Sequence, residues 1–95
     1  MVVPCTATGK NTVTLTPRLH EEGAVSRGNG MGFIYEAADT SDGDMSSVLG
    51  TFAALNLYKA DGATRATTGD HVDNSVYLIF YWSTLNGGAG GFVLK

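Results

Sequence analysis

Apolar and polar positions alternate at period two in several short stretches of this chain. Thr12, Thr14 and Thr16 alternate with Val13 and Leu15, which predicts a half-buried strand over residues 11–16, ended by Pro17. Residues 32–37 carry Phe33, Ile34 and Tyr35 and predict a second strand. Val76 to Trp82 is an unbroken apolar and aromatic run, the strongest strand signal in the chain. Such a run predicts cover on both faces, by core on one side and by a partner or second sheet on the other. Residues 92–94 predict a short final strand. A further strand is expected over about residues 56–59, where Ala53-Ala54-Leu55 leaves helix open as an alternative just upstream. Residues 18–30 predict a long exposed loop, with a short strand near Val25. Residues 38–47, with Asp39, Ser41, Asp42, Gly43, Asp44 and Ser46, predict turns. Asp61-Gly62 signals a hairpin turn, and residues 85–91 a glycine-rich loop. About six short strands and no long helix predict an all-β fold, a small antiparallel β-sandwich or barrel of immunoglobulin-like or jelly-roll-like type. Residues 1–10 read as an extended N-terminal arm.

Composition narrows the picture. The 95 residues fit a single domain over residues 1–95. Apolar residues make up 43%, too many for a chain disordered by composition. Charged residues are 16%, against roughly 25% in typical soluble domains, and the net charge is −3. That balance argues against nucleic acid as a partner, because phosphate binding needs a basic patch. No apolar run approaches the ~20 residues of a bilayer-spanning helix, so no membrane partner is expected. No secretory signal is visible at the N-terminus. Cys5 is the single cysteine, so no disulfide forms within the chain; it reads as a small apolar filler.

Several stretches resemble chemical motifs and fail on a specific residue. Gly28-Asn29-Gly30-Met31-Gly32 lacks the third glycine of a dinucleotide fingerprint, since Phe33 stands there and a strand follows. Residues 87–91 run into a strand too, so they offer no helix N-terminus to phosphate. His20-Glu21-Glu22-Gly23 begins like a zinc-protease helix, but Ala24 occupies the place of the second histidine. Asp39, Asp42 and Asp44 lack the spacing and late glutamate of a calcium loop and read as a solvated turn. Asp70, His71 and Asp73 form a polar cluster whose spacing selects no nucleophile and base. The expectation is a protein without catalytic residues, metal or cofactor. Aromatic residues of the long strand read as core, with an intersubunit face as the alternative. Candidate interaction residues are Arg18, His20 and Arg27 on the loop, and Tyr81 and Trp82 on the strand.

Cys5-Thr6-Ala7, the stretch from Thr12 to Pro17, Leu57-Tyr58, Gly69-Asp70, Tyr77, and above all residues 85–94 together resemble a small β-module of tailed-bacteriophage virion proteins. The resemblance covers residues 1–17 and 55–95, and residues 18–50 match it less well. It implies a structural virion protein. Within that class, the short chain and the lack of a shaft repeat favour a capsid decoration, or cement, protein. Its expected partners are the major capsid protein and copies of itself, typically as a homotrimer. A tail-fibre or receptor-binding module is the alternative. The implied location is the virion, assembled in the host cytoplasm.

Overall fold

Short strands joined by glycine turns dominate the computed structural model, which describes residues 2–17, 28–50 and 52–95. Strand β1 (Val2–Thr8) turns back into β2 (Thr12–Pro17) through Gly9. Gly9 has φ 99°, and a Cβ there would lie 2.1 Å from the Thr12 carbonyl oxygen, so the turn admits glycine alone. The remaining strands are β3 (Gly32–Glu36), β4 (Ser46–Leu49), β5 (Leu55–Tyr58), β6 (Val76–Trp82) and β7 (Gly91–Leu94). A 3-10 turn, Asn86–Gly88, precedes β7.

The strands close into a barrel in the order β1-β2-β4-β5-β7-β6-β3. Its pairing is mixed: β1/β2, β4/β5, β3/β6 and β6/β7 are antiparallel, while β1/β3, β2/β4 and β5/β7 are parallel. This corrects the antiparallel sandwich expected from sequence, though the all-β small barrel stands. Alternation within each strand specifies which face is buried; it carries no information on which distant strand lies alongside.

Residues 1–10 were expected as an arm, yet Val2–Thr8 is a strand paired on both edges. Val3 and Cys5 face the core, while Val2, Pro4, Thr6 and Thr8 face outward. Ser46–Leu49 is a strand inside and just past the expected turn cluster. Its Ser47 is fully buried and satisfied by a hydrogen bond from Oγ to the Val13 carbonyl, so a polar residue occupies a core position. The Asp61-Gly62 turn is present, but it joins β5 to a single bridge, Tyr58 with Arg65, rather than to a full strand. Asp61 Oδ1 accepts both the Ala63 and Thr64 N–H groups at 2.8 Å. The strand expected near Val25 lies outside the described residues.

Val3, Val13, Leu15, Phe33, Leu49, Leu57, Ile79 and Phe92 fill the barrel. Phe33 and Phe92 meet edge to face at 6.0 Å. Each such side chain contributes about 1.5–3 kcal/mol on burial. Arg65 fastens the short β4/β5 ladder from outside, donating from Nε to the Met45 carbonyl at 2.7 Å and from Nη2 to Ser46 Oγ at 3.0 Å.

Candidate interaction face

The outward positions of β3, β6 and β7 are apolar except for Glu36 at the end of β3. Registered pairing puts these residues in rows across the strands. Pro4, Ile34 and Leu78 form one row, and Val2, Gly32, Phe80 and Val93 another. Gly32 lets the second row close up: a Cβ there would stand 3.0 Å from the Phe80 ring and 3.2 Å from Leu78. Val76 and Trp82 extend the face at the two ends of β6, with exposures of 64% and 43%. The sequence predicted that both faces of Val76–Trp82 are covered; Ile79 is fully buried on the inner face, while outward Leu78 and Phe80 are half-buried and Val76 and Trp82 exposed.

The opposite side of the barrel has different chemistry. Outward positions of β2 and the end of β1 are threonines: Thr6, Thr8, Thr12, Thr14 and Thr16. Glu36 is the one charged residue in β1, β3, β6 and β7. The molecule therefore presents a threonine side and a mainly apolar side whose one charge, Glu36, is exposed at its edge.

The candidate residues separate on this frame. Arg18, His20 and Arg27 lie outside the described residues. Tyr81 points inward, half-buried, with its ring 5.7 Å from that of Phe92. Trp82 points outward, its ring lying 3.5 Å from where a Cβ of Gly30 would sit. Tyr81 is thus a wall of the core, and Trp82 belongs to the face. Val2, Pro4, Ile34 and Val93 complete that face and were not singled out from sequence. The available signal was the outward phase of each strand, which becomes a surface only once the strand order is known.

Acidic and histidine clusters resolve into structural roles. Asp42 accepts from Asn11 Nδ2 at 2.8 Å and meets Lys10 Nζ at 3.4 Å. The Asn11 hydrogen bond, then the Lys10 charge, hold its carboxyl below the usual range. Asp39 caps the Thr40 N–H, and Asp70 accepts the Thr67 N–H, each at 2.8 Å. No group of three or more His, Cys, Asp or Glu among the described residues is arranged to hold a metal ion. His71 is buried, with Nε2 2.6 Å from Tyr35 Oη and its ring stacked 4.4 Å from Tyr77. Ser41 Oγ donates to the Thr67 carbonyl and accepts the His71 backbone N–H. Ser41 and His71 therefore meet through the main chain and not as hydroxyl and imidazole. Cys5 is buried, and desolvation pushes its thiol up to about 11, away from nucleophilic use near neutral pH.

No family model, curated protein or solved structure matches the chain.

Proposed function

We propose that this chain is a structural protein of a tailed-phage virion, a decoration (cement) protein that binds the outer shell and bridges neighbouring capsid subunits. The observation that supports it most is the mainly apolar outer face of β3, β6 and β7, which carries a single charge, Glu36, at its edge. The resemblance of residues 1–17 and 55–95 to phage virion modules supplies the setting. In this reading the protein performs no catalytic step and carries no cofactor. It works by mass action: binding the assembled shell and not its separated subunits stabilises the shell. Copies of the chain assemble as a homotrimer, and three linked faces raise avidity beyond that of one.

Quantitative mass spectrometry of virions from the strain that encodes the chain tests this directly. A copy number comparable to that of the major capsid protein is expected. A small fraction of that number would move the protein to the tail, as a fibre or receptor-binding module. Complete absence from purified virions would overturn the virion reading.

A further inference from the structure

Neighbouring strands part at the seam between β1 and β3. β1 pairs with β3 through Val2, Val3 and Pro4, and with β2 through Cys5 to Thr8. β3 continues along β6 past Ile34, through Tyr35 and Glu36. Beyond Pro4 and Ile34, the facing edges of β1 and β3 therefore have no ladder partner. An open cleft of about 560 Å³ fills the gap, lined by residues that include Cys5, Ala7, Ile34, Tyr35, Glu36 and Val76.

Ladder geometry says which backbone groups face this cleft. The Leu15 carbonyl accepts from the Gly50 N–H on the β4 side, so Leu15 is turned away from β1. The Ala7 and Leu15 pair is then the non-bonded kind, and Thr6 with Thr16 and Thr8 with Thr14 are the bonded kind. Pro17, opposite Cys5, has no N–H and fits the same phase. The N–H and C=O of Ala7 accordingly point toward β3. On the other wall, the Ala37 N–H donates to the Ser75 carbonyl, and the Ala37 carbonyl accepts from the Asn74 N–H. Alternation then turns the N–H and C=O of Glu36 toward β1. Two strand edges whose donors and acceptors have no ladder partner among the described residues face each other across the cleft. The small side chains of Cys5 and Ala7 form its floor, and Pro4, Ile34 and Val76 its apolar rim. Glu36 is its one charge.

We propose that this cleft receives an extended segment of a partner protein, which adds a strand between β1 and β3. β1 and β3 run parallel, so one segment satisfies both edges in a single orientation. The segment is apolar at every second residue, to match the rim, and carries lysine or arginine beside Glu36. Pro4, Ile34 and Val76 belong to both cleft and outer face, so strand and face are engaged together. This rests on the docking role proposed above and gives its mode.

Amide exchange of the full chain, followed by NMR, tests the proposal. In the free protein the Ala7 and Glu36 amides should exchange at least about tenfold faster than those of Thr6 and Thr8. The probe is a short blocked peptide alternating valine and lysine. At saturation it should slow Ala7 and Glu36 exchange about tenfold, as new ladder bonds form. The same peptide N-methylated at alternate residues should give no protection. Glu36→Lys should transfer the preference to a peptide alternating valine and glutamate. Protected Ala7 and Glu36 amides in the free chain would overturn the proposal. So would protection by the N-methylated peptide, or no protection by either. Virion copy number is read separately. Failure of the peptide with normal virion loading removes the strand mode alone. Protection by the peptide with no chain in virions removes the virion reading alone.

Discussion

His71 is buried together with two other polar side chains among the described residues, Ser41 and Ser47. It is 1% exposed, its Nε2 meets Tyr35 Oη, and its Nδ1 has no partner. Burial, with smaller contributions from Tyr77 and Cys5, pushes the Tyr35 phenol well above its usual range, so Tyr35 stays protonated. Burial also lowers the pKa of His71 below its ordinary 6.5. The unfolded chain therefore binds a proton here more readily than the folded one. The stability that neutral His71 provides is complete above about pH 6.5 and is lost progressively as pH falls below it. The depressed carboxyls titrate lower. Asp61, held by the Thr64 hydroxyl and the Thr64 and Ala63 N–H groups, sits at about 2; its contribution is present above 3.8 and is lost as pH falls toward 2. The His71 window opens at about pH 6.5 and the Asp61 window at about 3.8, so the loss between about pH 7 and pH 5 reads on His71 and not on Asp61. Urea midpoints of the wild type should fall between about pH 7 and pH 5, whereas those of His71→Phe should stay flat over that range. His71→Phe should also lose about 1–3 kcal/mol at neutral pH, because Tyr35 Oη is left buried without its partner. Parallel pH profiles for the two proteins would show that His71 is not the titrating group. None of this was legible in sequence, where Asp70, His71 and Asp73 read simply as a polar cluster; the burial of His71 comes from Tyr35 on β3 and Tyr77 on β6, both distant in the chain.

Strand β6 shows how an element divides its residues between fold and partner. Ile79 is fully buried, and Phe80, its neighbour, projects into the outer face. Tyr81 turns inward again, against Phe92. Ile79→Asp should cost several kcal/mol, since it buries a charge without a counter-ion, and Tyr81→Asp should be destabilising by the same mechanism to a smaller extent. Phe80→Asp should leave a folded monomer within about 1 kcal/mol of wild type and abolish loading onto virions. Thermal melts of the purified variants, set beside virion loading, check both halves. Normal loading of folded Phe80→Asp would take the outer face out of the interface. Strong periodicity made β2, β3, β6 and β7 legible to within a residue or so. β1 and β4 were missed for different physical reasons. In β1 the inward residues after Val3 are the small Cys5 and Ala7, and Pro4 suggests an irregular segment. In β4 the buried Ser47 breaks the apolar phase, and only its bond to Val13 makes it a core residue.

At the scale of the molecule, closure depends on contacts between strands that are remote in sequence. The hairpin β1/β2 is local, but β1/β3, β2/β4 and β5/β7 each join parallel strands separated by long connections. Such pairings must overcome loop-closure entropy before they repay it, which places the barrel among domains that fold in milliseconds to seconds. Strand order is invisible to a reading of local period for the same reason, and this is why the apolar positions of β1, β3, β6 and β7 were legible singly and the face they compose was not. The β1/β3 seam has three pairs beside an unpaired stretch, with Val3 as its buried anchor at 2% exposure. Its ladder stops at Pro4, so it has little to hold it closed in a transition state where the central β3/β6 ladder is formed. Val3→Ala should therefore remove about 1–3 kcal/mol, expressed mainly as faster unfolding with little change in the folding rate. Ile79→Val, in the centre of the β3/β6 ladder, should slow folding by a larger share of its smaller cost. Stopped-flow chevrons of the two variants decide the matter. If Val3→Ala slows folding as strongly as it destabilises, β1/β3 closure belongs to the nucleus and the seam is not the yielding part of the barrel. If it acts on unfolding, the segment that opens most readily is the one where an added strand would gain most by closing it.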